Sequence, residues 1–169
     1  MKKSPLILIY ISILLTFNSC WKYTFNGVDI GDAKTVQVDF FKNETPFEPT
    51  LGNRFTKEMQ DLFQRQTSLS LVPKNGDLHF EGEITDYRIN PMGATSQQTA
   101  AQNRLTITVN VRFYNKLKNK DDFEEQFSFY SDFDANSQLA GSILENALHQ
   151  ISERIIQDIF NASISKWKS

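Results

Sequence analysis

The side chains best suited to chemistry in this 169-residue chain are its two histidines and a short series of acidic residues. His79 and His149 are far apart, and neither belongs to the closely spaced His or Cys patterns that bind zinc. Asp77, Glu81 and Glu83 lie in GDLHFEGE, where a carboxylate pair could serve hydrolysis as general acid and base. Acidic residues at this spacing are far more often the solvated face of a strand, and we interpret them in that way.

Other catalytic patterns are also absent from the sequence. The seven glycines do not cluster into a phosphate-binding loop, and no serine lies in a nucleophile motif. We therefore expect no enzymatic activity, no metal site and no cofactor.

The N-terminal segment MKKSPLILIYISILLTFNSC has the form of an export signal. Lys2 and Lys3 precede an apolar stretch from Leu6 to Phe17, which is shorter than the ~20 residues that a membrane-spanning helix needs. We predict a signal peptide over residues 1–19.

Cys20, the only cysteine in the chain, follows the small residue Ser19 in an arrangement that resembles a bacterial lipobox. The usual lipobox has Leu three residues before the cysteine and a small residue two before it. Phe17 and Asn18 take those places here, as in the relaxed lipoboxes of Bacteroidota. We predict that Cys20 is lipidated, with palmitate among its acyl chains, and that residues 20–33 form a tether to the membrane. The alternative is an ordinary secretory signal with a cysteine near its cleavage site.

The charge balance argues against one class of partner. Without Lys2 and Lys3 the chain has 16 basic and 20 acidic residues, whereas a protein that binds duplex nucleic acid needs clustered excess Lys and Arg. Residues 34–169 are long enough for a hydrophobic core, and we predict a single domain there.

Hydrophobic periodicity predicts the element order β-α-β-β-β-α for this domain. The clearest signal is RLTITVNVRFYN, in which apolar and polar residues alternate along the whole segment. The predicted elements are strands at 34–41, 78–89, 104–115 and 123–133, helices at 51–66 and 138–161, a short apolar run at 69–72 that suits a strand, and loops at 90–102 and 116–122.

The same spacing predicts which side chains face the core. The alternation in 78–89 changes phase before Tyr87 and Ile89, which indicates a bulge near Asp86. The first strand is expected to bury Val36, Val38 and Phe40. The helices are expected to bury Leu51, Phe55, Met59, Leu62 and Phe63, and then Leu139, Ile143, Leu144, Ala147, Leu148, Ile151, Ile155, Ile159 and Phe160, with Thr50 and either Asn136 or Ser137 as caps.

These elements predict an α+β fold. In this two-layer sandwich, two helices cover the apolar face of a four-stranded, mostly antiparallel sheet. The other face, which carries Thr, Asn, Arg and Tyr, would meet water or a ligand.

Basic side chains accompany the sheet and one hairpin: Arg88, Arg104 and Arg112 on strands, and Lys116, Lys118 and Lys120 in KLKNKDD. Lys and Arg can pair with the phosphates of a glycolipid. The plainer interpretation is a solvated turn, in which Asp121 and Asp122 offset two of the charges.

Three segments, QTSLSLV, GDLHFEGEITDYRI and NRLTITVNVRFYN, resemble LptE, the lipopolysaccharide-assembly lipoprotein family, in its Bacteroidota form. The resemblance spans roughly residues 34–161 and implies two helices packed on a four-stranded sheet. It also implies an outer-membrane protein, lipid-anchored on the periplasmic side, that helps assemble and plugs the LptD β-barrel and binds lipopolysaccharide on its way to the outer leaflet.

Basic residues around the sheet's loops have been implicated in lipopolysaccharide binding in that family. We therefore expect Arg104, Arg112, Lys116 and Lys118 to meet lipid phosphates or the barrel wall. The competing hypothesis is a lipid-anchored periplasmic interaction domain that activates a cell-wall synthesis enzyme, since such lipoproteins are also small, α+β and non-catalytic.

Overall fold

A computed structural model describes residues 31–93 and 101–167. The predicted signal peptide, Cys20 and the tether up to residue 30 lie outside this part of the chain, as does 94–100 of the predicted loop. The described residues form β1 (Thr35–Val38), β2 (Lys42–Asn43), α1 (Leu51–Gln66), β3 (Ser70–Leu71), β4 (Leu78–Met92), β5 (Gln102–Asn115), a 3-10 helix (Asn119–Asp121), β6 (Phe123–Asp134) and α2 (Gly141–Trp167).

These strands belong to one mixed sheet. Its order is β3-β1-β4-β5-β6, and β2 also pairs with β4. β4, β5 and β6 are antiparallel, whereas β1 runs parallel to β3 and β4, and β2 runs parallel to β4. The predicted α+β fold with two helices is confirmed within the described residues. The short strand suggested at 69–72 is confirmed as β3. The four-stranded, mostly antiparallel sheet is wrong in detail, because β3 joins it, several pairs are parallel, and β2 has only two residues, over which alternation cannot be detected.

The longest ladder in the sheet joins β4 to β5. Its register shifts between Ile84 and Asp86, which leaves Thr85 as the extra residue of a β-bulge. The predicted bulge near Asp86 is thereby confirmed. Because one added residue reverses the alternation, Tyr87 returns to the buried side of the sheet, opposite Ile107.

The first predicted strand ends early, at Val38. Val36 and Val38 are buried as predicted, but Phe40 is 63% exposed and Phe41 is fully buried in its place. The prediction for Phe40 is wrong because the chain leaves the strand after Val38 and no longer alternates. Phe41 instead packs against Phe55 of α1, with the ring centroids 5.1 Å apart.

The predicted start is correct for the first helix and too early for the second. α1 has the predicted bounds, buries its predicted stripe, and has Thr50 at its N-cap position, although the Thr50 side chain makes no capping hydrogen bond. α2 begins at Gly141, later than predicted, so Asn136 and Ser137 lie several residues before it. Gly141 has a φ of +55°, a left-handed conformation that glycine adopts without strain. Ile143 is 38% exposed, contrary to the prediction, and Leu139 and Leu144 are partly buried, whereas the members of the stripe from Ala147 onward are buried.

α1 and α2 lie side by side on the core face of the sheet. Arg54 of α1 forms an ion pair with Glu145 of α2, and Gln66 near the end of α1 donates to Gln157 at 3.4 Å. The first contact joins residues near the start of each helix, and the second joins residues further along both. The two helices therefore run in the same direction. Phe63 of α1 fills the space between the layers. Neither helix in the described part of the chain is long and apolar enough to cross a membrane.

Gly82, in the middle of β4, is required by close packing. A Cβ at this position would press on the carbonyl oxygen of Asn110 and lie 2.7 Å from Cε1 of Phe41. We expect Gly82→Ala to lower the free energy of unfolding by about 1–3 kcal/mol, as overpacked cores do, measured by urea denaturation. Gly93→Ala is the control, because a Cβ there would meet nothing within 4 Å. Equal unfolding midpoints for the two variants would contradict the packing argument.

Candidate functional site

The sheet face directed away from α1 and α2 carries most of the strands' polar and charged side chains, and we call it the outer face. Alternation along the strands places them there, as the sequence predicts. The residues that define this face are His79, Glu81, Glu83, Arg104, Asn110, Arg112, Tyr114, Glu124, Tyr130 and Asp132.

Arg112 of β5 joins the carboxylates of both neighbouring strands. Its Nε donates to Oε1 of Glu81 at 2.9 Å, and its terminal nitrogens donate to the two oxygens of Glu83 at 2.8 and 3.0 Å. Glu124 of β6 adds a longer ion pair at 3.8 Å. The sheet register causes this arrangement, since it places Arg112 opposite Glu81 on one side and Glu124 on the other.

These bonds favour the ionised forms of Glu83 and Arg112. Hydrogen bonds from Arg112 and then Asn110 hold the pKa of Glu83 below its usual range. Hydrogen bonds to Glu83 and Glu81 raise the pKa of the Arg112 guanidinium. Asn110 also links the strands, because its side-chain nitrogen donates to both Glu83 and Glu124 at 2.9 Å. The predicted solvated acidic face is therefore largely an ion-paired one.

Asp77 does not join this network, although it is close to Glu81 and Glu83 in sequence. Its Oδ2 accepts the backbone N–H groups of Lys34 at 2.9 Å and Thr35 at 3.0 Å. These bonds, that from Lys34 first, hold the pKa of Asp77 below its usual value. Through these bonds, Asp77 holds the start of β1 next to the start of β4.

Arg104 lies at the other end of β5 and has its own carboxylate partner. It donates to both oxygens of Asp132 at 2.7 and 2.8 Å, and its guanidinium carbon lies 3.5 Å from the centre of the Tyr130 ring. The bond to Asp132 raises the pKa of Arg104. Arg104 is eight residues from Arg112 along one strand, or about 26 Å at the usual rise. The predicted basic residues therefore do not form one cluster.

Lys116 and Lys118 lie in the β5–β6 hairpin, which Asn115 organises. The Asn115 side-chain oxygen accepts the backbone N–H groups of Leu117 at 3.0 Å and Lys118 at 3.2 Å. Asn115 is buried, whereas Lys116, Leu117 and Lys118 are exposed. Within the described residues, no carboxylate lies within ion-pair distance of either lysine.

The acidic residues of the same hairpin, Asp121 and Asp122, have structural roles in the turn. Asp122 accepts the backbone N–H of Asn115 at 2.7 Å, and Asp121 is only 3% exposed. The two carboxylates therefore stabilise the turn, and the lysines remain on its surface.

Each histidine meets a carboxylate, in a different setting. On the outer face, His79 Nε2 lies 2.8 Å from Asp39 Oδ2, and Gln37 donates to the other Asp39 oxygen at 2.8 Å. Burial opposes ionisation of Asp39, but the bonds from Gln37 and His79 outweigh it and lower its pKa. Between the helices, His149 Nδ1 lies 3.7 Å from Glu58, and burial raises the pKa of Glu58.

Sequence reasoning missed the partners of the predicted basic residues and the pairing of His79 with Asp39. These partners are distant in sequence and meet only through the sheet register. The available signal was the outward-facing carboxylates on the other three predicted strands, 34–41, 78–89 and 123–133. Cys20, the predicted lipidation site, lies outside the described residues.

Solved structures with the same fold have low sequence identity to this chain. They include a hypothetical protein of Chlamydia trachomatis, with 12% identity, coverage of 79% of this chain and 98% of the other, and a TM-score of 0.55. A minor lipoprotein of Acinetobacter baumannii has 9% identity, 79% and 94% coverage and a TM-score of 0.51. A protein of Xanthomonas campestris has 10% identity, 80% and 86% coverage and a TM-score of 0.51. At these identities the likeness shows the fold alone.

No curated protein matches the chain by sequence. A family model does match: that of LptE, described as lipopolysaccharide-assembly, over residues 33–163. The match begins just before β1 and ends within α2, so it includes the outer face and the β5–β6 hairpin. The chain therefore belongs to the LptE family of lipopolysaccharide-assembly proteins.

Proposed function

We propose that this protein is an outer-membrane lipoprotein, anchored through Cys20 on the periplasmic side, that helps assemble and plugs the LptD β-barrel. In this role it binds lipopolysaccharide during its transport to the outer leaflet and catalyses no reaction. The single observation that carries the proposal is the family match over residues 33–163. The following contacts make it physically reasonable.

The outer face suits burial against a polar wall. A barrel lumen is polar, so a plug must present polar groups without leaving charges unpaired when water is displaced. The guanidinium of Arg112 is already paired with Glu81 and Glu83, and that of Arg104 with Asp132. Because these ion pairs form inside the domain, docking does not require the partner to supply every counter-charge.

The β5–β6 hairpin suits a lipid with phosphate groups. Lys116 and Lys118 flank Leu117, whose exposed fraction is 51%. Two cations beside an apolar side chain can contact phosphates and the start of an acyl chain together. We assign lipid contact to Lys116 and Lys118. Arg104 and Arg112 would have to exchange a carboxylate for a phosphate, so we assign them to the barrel wall.

Identifying the protein that co-purifies with this chain tests the proposal directly. We expect the tagged full-length chain, extracted from its own outer membranes in mild detergent, to co-purify with a large β-barrel protein, identified by mass spectrometry. Recovery of a cell-wall synthesis enzyme without the barrel would contradict the proposal and support the competing hypothesis. A Cys20→Ser chain with its signal retained shows whether the interaction depends on the anchor.

The proposed lipid contact of Lys116 and Lys118 is tested by removing both charges. We expect Lys116→Ala/Lys118→Ala to weaken lipopolysaccharide binding about thirtyfold, since each lost hydrogen bond at an exposed site contributes about 1 kcal/mol net. Binding is measured by fluorescence titration with purified lipopolysaccharide. The matched control is Lys42→Ala/Lys57→Ala, which removes the same charge elsewhere on the surface. Equal affinities for the two double variants would rule out the hairpin as the lipid contact.

The anchor is tested in cells that lack the barrel, so that the barrel cannot retain the protein. Because lipid burial supplies the membrane affinity, Cys20→Ser should move the protein from the membrane to the soluble fraction and leave its circular dichroism spectrum unchanged. Fractionation and immunoblotting measure the shift. A variant that still sediments with the membrane would show that Cys20 is not the anchor.

A further inference from the structure

We propose that Asp39, His79 and Glu81 form a binding site for a divalent transition-metal ion, with Zn²⁺ as the ion that fits best. The site lies on the outer face, where the segment after β1 meets β4. It is independent of the proposed function, because it requires neither the barrel nor lipopolysaccharide. The sequence predicts no metal site, since Asp39 and His79 are forty positions apart.

The backbone brings the three side chains together. His79 and Glu81 are two residues apart on β4, so they share the outer face. The parallel pairing of β1 with β4 ends at Val38, and one further backbone bond follows it, from the Asp39 N–H to the Phe80 carbonyl at 2.9 Å. Asp39 is thereby held beside both β4 side chains. One donor atom from each of the three residues lies within 4.8 Å of the others.

Only a small movement closes this arrangement around an ion. Zinc bonds of about 2.0–2.2 Å in a tetrahedron hold the donors about 3.4 Å apart. Donors that now lie up to 4.8 Å apart must therefore close by at most about 1.4 Å, and the His79–Asp39 pair must open by about 0.6 Å. The Glu81 side chain is 34% exposed and has room to move. His79 Nε2 and Asp39 Oδ2 already face each other at 2.8 Å, and a zinc ion would replace that hydrogen bond. Water would complete the coordination.

Supporting hydrogen bonds orient the two carboxylates, as they do around established metal ligands. Gln37 holds Asp39 through Oδ1 at 2.8 Å and leaves Oδ2 directed at His79. Arg112 and Tyr114 both donate to Oε1 of Glu81, at 2.9 and 3.3 Å. Within the described residues, Oε2 of Glu81 accepts no hydrogen bond and can bind an ion.

The ligand set decides which ion is preferred. One imidazole with two carboxylates suits zinc and similar first-row ions, whereas Mg²⁺ and Ca²⁺ prefer oxygen donors alone. Two carboxylates neutralise the charge of the ion. The Arg112 cation beside Glu81 opposes binding, but Glu83 holds the same guanidinium through two hydrogen bonds and offsets much of that repulsion.

The test is calorimetric titration of ZnCl₂ into the full-length chain in detergent, after treatment with a chelator. The chain carries Cys20→Ser so that no thiol competes for the metal, and its affinity tag is removed. We expect one zinc ion per chain and a higher thermal unfolding midpoint in the presence of zinc. His79→Ala, Asp39→Asn and Glu81→Gln should each weaken binding at least tenfold. Glu81→Gln keeps an oxygen that can accept from Arg112 and Tyr114, so its fold should be unchanged by circular dichroism.

The matched control is His149→Ala. His149 also faces a carboxylate, Glu58 at 3.7 Å, but belongs to no described group of three ligands. We expect this variant to bind zinc as the parent chain does. Absence of zinc binding to the parent chain, or equal losses in the His79 and His149 variants, would overturn the proposal.

Discussion

The pairing of β4 with β5 is the constraint on which the rest of this structure depends. It runs through the long central strands and contains one bulge, at Thr85. Before the bulge, Phe80 and Ile84 face the helices. After it, the added residue restores Tyr87 to the same side. A ladder without Thr85 would turn the second half of β4 over, exposing apolar side chains and burying charged ones.

The same register also determines what the outer face can do. Because strand neighbours are fixed, Arg112 meets Glu81, Glu83 and Glu124, so the charge of its guanidinium is balanced within the domain and the group as a whole stays acidic. The arginines of such a surface can lie against a polar wall without counter-charges from the partner. The cations of the hairpin differ, because the nearby acidic residues stabilise the turn and leave Lys118 exposed. The proposed contacts with the barrel and with the lipid thus fall on separate parts of the domain, the outer face and the β5–β6 hairpin.

The long elements could be predicted from the sequence because each carries its own hydrophobic period. The bulge was also visible, as a change of phase within one strand. The error at Phe40 has a different cause, since the turn that buries Phe41 depends on packing against α1 and not on alternation. The late start of α2 at Gly141 similarly reflects a left-handed residue that periodicity does not detect. The contact of Asp39 with His79 needed the parallel pairing of β1 with β4, which no local pattern encodes.

The central claim is that the outer face lies against a β-barrel in the membrane. The most direct measurement is photo-crosslinking in intact cells from a benzoylphenylalanine placed at Gln126, which is exposed and pairs with Asn110 in the middle of that face. We predict one dominant adduct, with a large outer-membrane β-barrel protein, identified by mass spectrometry. Adducts with a cell-wall synthesis enzyme, or no protein adduct although the probe is incorporated and the protein is at the membrane, would contradict the account.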